Sequence, residues 1–400
     1  MLIHETDTPS PKGGLSFENT EIAFRHTSNA ALRRAYWLFK MININFFVRI
    51  GPPITNFALK IRLPIKGIIR ATIFKHFCGG ETINGCAEAI KNLHEGKVGT
   101  ILDYSVEGED DEQVFDETRD EIIRIIHRAV GDPAIPLTVF KPTGVVRFGL
   151  LEKLDAGQTL TEAEQNEFSI AKGRFNDICK TAFDLDIRVM IDAEESWIQD
   201  TIDTLALDMM RDYNKTRPIV YNTYQLYRHD KLESLRKHAT TAIDEGFYFG
   251  AKLVRGAYME KERKRAADNG YPSPIQTTKQ GTDDDYNSAM EFCIANIKHV
   301  AFVAGTHNED SCRFLVELLN THKVDHNHPN VYFSQLLGMS DNLSFNLADA
   351  NYNVAKYVPY GPVEAVLPYL FRRAEENTAI SGQMSRELGL IAKEKKRRGI

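Results

Sequence analysis

The stretch FGAKLVRG, residues 249–256, decides how the fold is read. A strand with one wet face alternates apolar and polar residues. This one is apolar at nearly every position, as strands covered on both faces are. Lys252 alone interrupts it, and Arg255 and Gly256 close it. Seven other runs share the pattern: TILDYSV (100–106), PLTVFKP (136–142), IRVMIDA (187–193), PIVYNTY (218–224), HVAFVAGT (299–306), NVYFSQ (330–335) and NVAKYVP (353–359). Segments such as ETRDEIIRIIHRAV (117–130) and DDDYNSAMEFCIANIKHV (283–300) lie between them and are long enough for helices. Eight β–α alternations over roughly 300 residues are the count of a (β/α)8 barrel, with a doubly wound open sheet as the alternative on pattern alone. The barrel is expected over 96–380. Residues 145–186, which include LEKLDAGQTLTEAEQNEFSIAKGRFNDICK, exceed what one crossover needs and read as a helical insertion between strands 2 and 3.

The 400 residues carry a formal net charge of −6, which gives no reason to expect nucleic acid as a partner. The five cysteines (Cys78, Cys86, Cys179, Cys293, Cys312) form no CxxC pair and are odd in number, which suits thiols acting as small apolar groups in a reducing compartment. The opening MLIHETDTPSPKGG is polar and contains acids, and reads as neither a signal nor a transit peptide. No apolar run approaches the roughly 18 residues of a membrane span. Residues 1–21 read as a flexible polar segment and 381–400 as a basic tail.

Residues 22–95 read as a basic helical arm. Between Ile22 and Gly80 there is no Asp or Glu, while Arg25, Arg33, Arg34, Lys40, Arg49, Lys60, Arg62, Lys66, Arg70 and Lys75 are interleaved with aromatics such as Tyr36, Trp37 and Phe39. Such a surface suits an anionic bilayer, and equally a solvated face wrapped on the main domain. KEKKRRG (393–399) is a second candidate for membrane contact. The expected location is cytoplasmic, peripheral on the inner face of a membrane.

In a barrel the site lies at the C-terminal strand ends. There the chain places Asp103 and Glu107, Lys141, Asp192 with Glu194 and Glu195, Asn222 and Gln225, Lys252 and Arg255, Thr306 with His307 and Asn308, Gln335, and Tyr357. Polar groups at every strand end argue for a pocket that holds a ligand. No GxGxxG follows a strand and no GxxxxGK[ST] occurs, so neither a Rossmann nor a P-loop site is supported. DAEES (192–196) suits either a carboxylate metal cluster or an anchor for lysines and arginines. His322, His326 and His328 read as a solvated loop, and no metal is expected. In YLFRRAEEN (369–377) Arg372 and Arg373 either pair with Glu375 and Glu376 or grip a substrate carboxylate in bidentate fashion. Pro368 is expected as that helix's first residue. Lysines at strand ends, Lys141 and Lys252, also suit a Schiff-base aldolase or a pyridoxal-phosphate enzyme. A non-catalytic barrel carrying the arm is a third reading.

KLVRGAYMEKER (252–263) and YVPYGPVEAVLPYLFRRAEEN (357–377) resemble the two signatures of the proline dehydrogenase family, monofunctional mitochondrial-type branch. FKPTG (140–144), DAEES, NTYQLY (222–227), GTHN (305–308) and FSQLLGM (333–339) follow in the family's order, and the likeness covers about residues 85–380. Ser334 stands where a glycine is commoner.

The resemblance implies a distorted (β/α)8 barrel that binds FAD without a Rossmann domain. It also implies oxidation of L-proline to Δ1-pyrroline-5-carboxylate, with electrons passed to membrane quinone; a pyrroline-5-carboxylate dehydrogenase is a conceivable partner. Carried over by motif, Arg372, Arg373 and Lys141 hold the substrate carboxylate, and Tyr357, Leu336 and Tyr258 pack round the ring. Glu107 gates the site by pairing with Arg372. Lys252 lies by flavin N5 and, with Tyr357, is assigned to catalysis. Asp192, Asn222, Thr306, His307 and Glu376 hold the flavin, joined by Arg255, Gly256, Ala257, Asn308 and Gln335. A sister branch that oxidises hydroxyproline has a smaller residue at the Tyr357 position, so a preference for proline is expected here.

Overall fold

The computed structural model describes residues 15–42, 66–105, 111–379 and 383–400. All eight expected strands form: β1 (Gly99–Tyr104), β2 (Leu137–Phe140), β3 (Arg188–Ile191), β4 (Val220–Gln225), β5 (Phe249–Val254), β6 (Val300–Gly305), β7 (Val331–Leu336) and β8 (Val354–Tyr360). Each pairs in parallel with the next, and β8 returns to β1 with Ile101 opposite Tyr357, closing the barrel and excluding the open sheet.

The strands are apolar throughout because they face packing on both sides. On β5, Phe249, Ala251 and Leu253 point outward into the layer under the helices, while Gly250 and Lys252 face the axis. A Cβ at Gly250 would lie 2.8 Å from the Tyr221 ring and 2.4 Å from the Val220 carbonyl, so glycine is required there. Ile101, Leu137, Val139, Met190, Tyr221 and Val303 fill the axis. The barrel is therefore a packed core with chemistry available only at its mouth.

The longer helices among the described residues are α1 (Asn29–Ile42), α2 (Ala87–Glu95), α3 (Glu112–Ala129), α4 (Phe148–Asp155), α5 (Glu162–Asp184), α6 (Gln199–Tyr213), α7 (Lys231–Asp244), α8 (Met259–Asn269), α9 (Lys279–Ala295), α10 (Glu309–Thr321), α11 (Asp341–Asp349), α12 (Val363–Ala379) and α13 (Gln383–Arg398). Their starts follow from sequence. A capping box of Thr161 and Glu164 opens α5, and the side chains of Thr278 and Asn308 cap α9 and α10. Between β2 and β3, α5 packs between α3 and α6 as the ring helix, and α4 is the added element. Buried Arg174 locks α5 to α3 through Asp116 at 2.8 Å and Glu112 at 2.5 Å.

Beyond β8 the chain departs from a regular barrel. Val366, Leu367 and Leu370 of α12 share a second core with Leu32 and Phe39 of α1, Phe74, Phe77, and Leu390 and Ile391 of α13. The basic arm and the C-terminal helix thus enclose α12. Pro368 is not the first residue of this helix but sits inside it. Gly361, at φ +147°, turns the chain and α12 starts at Val363, so Pro368 removes the bond to the Glu364 carbonyl without ending the helix. All five cysteines are buried and free.

Candidate active site

Four strand ends meet at one carboxylate. Asp192, just past β3, accepts from Lys252 Nζ at 2.6 Å, Lys141 Nζ at 3.2 Å and the Tyr357 hydroxyl at 2.5 Å. Lys252 Nζ also lies 4.6 Å from the Tyr357 ring centroid, so the phenol is held at both its hydroxyl and its face. Burial alone would raise the Asp192 pKa. The charges of Lys252 and Lys141, with the bonds from Lys252 and Tyr357, outweigh burial and hold it at about 2. Burial, then the nearby Asp103 and Asp192, push the Tyr357 hydroxyl well above its ordinary value. Two lysines and a phenol carry more N–H and O–H hydrogens than one carboxylate can accept.

The rest of DAEES is an anchor. Glu194 accepts from the Thr143 N–H at 2.8 Å and the Thr143 hydroxyl at 2.6 Å, fixing the turn after Lys141. Glu195 pairs with Lys261, while Ser196 donates to Glu262 through N–H and hydroxyl at 2.7 and 2.6 Å. Among the described residues no group of three or more His, Cys, Asp or Glu is placed to hold a metal. Of the three loop histidines, His326 stacks on Tyr352 with centroids 4.3 Å apart.

Burial, reinforced by the charge of Glu195 and opposed by the Thr143 bonds and Lys141, raises the Glu194 pKa from 4.5 to about 7. An acid whose pKa is raised on folding binds its proton more tightly when folded. Its stabilising contribution is full below pH 4.5 and is lost as pH rises through about 7. Glu194→Gln keeps an acceptor for Thr143 but does not titrate. Urea unfolding at a series of pH values is therefore expected to show the unsubstituted protein losing about 2–3 kcal/mol relative to Glu194→Gln between pH 4.5 and 7.5. Parallel profiles would contradict the assignment.

The other expected site residues fall into distinct groups. Arg255 donates to Asp283 at 2.8 Å, Thr306 Oγ1 at 2.7 Å and Ser311 Oγ at 2.9 Å, and its guanidinium lies over Tyr286. With Thr306 and the cap Asn308 it builds the start of α10. His307 bridges Ser340 Oγ, 2.9 Å from Nδ1, and the Leu336 N–H, 3.4 Å from Nε2, which assigns the proton to Nδ1. Gly256 and Ala257 are exposed in the turn before α8, and Tyr258 is partly buried at its start. Gly256 has φ +136°, and a Cβ there would lie 2.5 Å from the Tyr227 ring. Leu336, opposite Tyr357 in the β7–β8 ladder, packs on the axial core, and Arg372 is partly buried on α12.

Two expected flavin contacts are turned outward. The Asn222 amide donates to Asp203 of α6 at 2.9 Å, and Gln335 donates to the Thr306 carbonyl and accepts from Ser344 of α11. On β4 Gln225 has the inward phase instead, donating to the Glu194 carbonyl at 2.6 Å. Glu107 lies outside the described residues, as do the side chains of Arg373 and Glu376.

Fold and mouth together define a (β/α)8-barrel protein with a lysine-rich polar site. The family profile described as Proline dehydrogenase matches residues 86–386, and the chain belongs to the proline dehydrogenase family. Proline dehydrogenase 1, mitochondrial, of Dictyostelium discoideum is 33% identical over 417 residues, covering 93% of this chain and 73% of that protein. The human protein of the same name is 42% identical over 237 residues, covering 58% of this chain but 39% of the relative. A crystal structure of proline utilization A from Bdellovibrio bacteriovorus inactivated by N-propargylglycine superposes with a TM-score of 0.70 at 18% identity, covering 92% of this chain and 37% of that one, a likeness of fold.

Proposed function

We propose that the protein oxidises L-proline to Δ1-pyrroline-5-carboxylate with bound FAD and passes the electrons to membrane quinone. The observation that carries this reading is the convergence of Lys141, Lys252 and Tyr357 on Asp192 at the mouth of a proline dehydrogenase-family barrel. The donor-rich set suits a ring system that becomes electron-rich on reduction. FAD, when bound, supplies the two-electron acceptor. Asp192, Lys252 and His307 are the residues proposed to hold its ring, with the start of α10 beside them.

The chain's own part is placement. Lys141 and Arg372, with Arg373, offer cations to a carboxylate, and Leu336 and Tyr357 offer an apolar wall to a small ring. The substrate loses a hydride from the carbon next to its nitrogen and a proton from the nitrogen. The test is the absorbance spectrum of the purified protein with and without L-proline in the absence of air. Bands near ~450 nm that bleach with L-proline support the reading, and flavin bands indifferent to it reject the substrate. Absence of flavin after FAD is supplied rejects the cofactor. A band near ~410–420 nm, or borohydride trapping on Lys141 or Lys252, would favour the aldolase or pyridoxal-phosphate class.

Tyr357 bears on specificity. Its ring is held by the Asp192 bond and by Lys252, and cannot swing aside to admit a ring hydroxyl. kcat/KM for L-proline is expected to exceed that for trans-4-hydroxy-L-proline by about a hundredfold. Comparable values would count against this role.

The membrane reading centres on α1. Leu32, Ala35 and Phe39 are buried, whereas Arg33, Trp37, Lys40 and Met41 are exposed on the other face, Trp37 by 58% and Met41 by 51%. Among the described residues no helix is long and apolar enough to cross a membrane. Binding to vesicles containing anionic lipid is expected to weaken about tenfold in a Trp37→Ser, Met41→Ser double variant, with dye-linked turnover unchanged. Equal binding would assign that face another role. Deleting residues 1–77 is a poorer test, because Phe39, Phe74 and Phe77 cover α12.

A further inference from the structure

The turn between β7 and α11, residues 336–341, carries Leu336 to the mouth, and its main chain is held from four directions. His307 accepts from the Leu336 N–H, and His76 Nε2 lies 2.9 Å from the Gly338 carbonyl. Lys356, fully buried on the outer face of β8, donates to the carbonyls of Leu336 at 3.2 Å and Met339 at 2.6 Å, and pairs with Asp341 at 2.8 Å. Glu387, buried on α13, accepts from the Ser340 N–H. Ser340 itself is left-handed, with φ 50° and ψ 43°. That conformation is uncommon for a non-glycine residue and carries a steric cost.

Such a concentration of buried charge around a six-residue turn exceeds what a surface connection needs. Lys356 lies on the outer face of β8 and meets the proposed substrate wall through the main-chain carbonyl of Leu336, while Glu387 meets the turn at Ser340. Glu387 also lies one residue past the span matched by the family profile. The shared element is Leu336, whose N–H and carbonyl are both taken by this network.

We infer that Glu387 and Lys356 are positioning residues, which lock the 336–341 turn and thereby hold Leu336 against the substrate ring. This rests on the proposed oxidation of L-proline for the role of Leu336, while the locking of the turn stands on the contacts alone. Glu387 ties the C-terminal helix to the substrate wall. Its loss loosens the fit of a small ring more than it alters the reacting centre.

The experiment uses flavin-loaded full-length protein in three forms: unsubstituted, Glu387→Ala and Glu387→Gln. Amide exchange of residues 336–341 and steady-state kinetics with L-proline are both measured. In Glu387→Ala the Ser340 amide is expected to exchange at least about tenfold faster. KM for L-proline should rise about tenfold while kcat changes by less than about twofold. Glu387→Gln, which keeps an acceptor oxygen for Ser340, should restore both. A Glu387→Ala protein that melts earlier but keeps its KM has lost only stability, and overturns the inference. Unchanged exchange overturns it as well. Should Glu387→Ala fail to fold, Glu387→Asp, one methylene shorter, should give an intermediate KM, and an unaltered KM there overturns the inference too. An unsubstituted protein that does not oxidise L-proline at all sinks the functional reading, a result separate from the exchange measurement.

Discussion

Asp192→Asn is expected to lower dye-linked turnover of L-proline by about 10²–10³-fold and to reduce the melting temperature. Asparagine has the shape of aspartate, so the cavity is unchanged, but the charge disappears. Lys252, buried, and Lys141, partly buried, 2.6 and 3.2 Å from the lost carboxylate, then face a neutral amide in place of a negative charge. Removing one partner of a buried pair costs about 3–5 kcal/mol, because the remaining charge is left without solvent or counter-ion. Asparagine keeps one acceptor oxygen where the carboxylate offers two, so the Tyr357 hydroxyl and the two lysines compete for it. The carboxyl is held at about 2, so its stabilising contribution is present above pH 3.8 and is lost as pH falls through about 2. The deficit of Asp192→Asn should therefore be full at neutral pH. Turnover within threefold of the unsubstituted protein would mean that the hub is a structural ion pair with no part in the site.

Arg372→Ala is expected to raise KM for L-proline by about a hundredfold, with much less effect on the rate of flavin bleaching at saturating substrate. Arg372 is partly buried on α12, a helix clamped by α1 and α13, so the backbone that carries it is set before any ligand arrives. A cation held in place acts on a carboxylate without first being ordered, and about 3 kcal/mol is reasonable for a charge-assisted bidentate contact. A lysine at 372 should recover only part of the loss, since an ammonium cannot make two parallel bonds. A fall in kcat with KM unchanged would place Arg372 in the chemistry of the site and not in binding. No change in either would leave Arg372 pairing with neighbouring acids, the other meaning the RRAEE sequence allows.

The barrel was legible because it is written locally. A strand covered on both faces must be apolar along its length, and each of the eight runs is. Their ends were legible for the converse reason, since Lys141, Asp192 and Lys252 are charges set at or near the ends of otherwise apolar runs. The same property hides the finer detail. A strand apolar on both faces has no alternation to show which residues point inward, so the phase that puts Gln225 toward the axis and Asn222 against Asp203 of α6 cannot be read from NTYQLY. DAEES announced a cluster of acids, but whether it held metal or lysines depended on strands 51 and 60 residues away in sequence. Lys356 was visible as a charge within NVAKYVP, yet its partners lie on the preceding turn. Glu387 sits in a stretch that reads as a basic tail and gives no local sign of burial.

The sequence by itself determined eight strands covered on both faces and the polar character of their ends, because these follow from residue type within short windows, and the likeness of its motifs pointed to the family. Only the tertiary structure decided that Asp192 is the hub of two lysines and a tyrosine, that the arm and C-terminal helix enclose α12, and that Glu387 reaches Ser340. Those are contacts between segments far apart in the chain. They depend on strand phase and helix packing, which closure of the whole barrel sets and no short window contains.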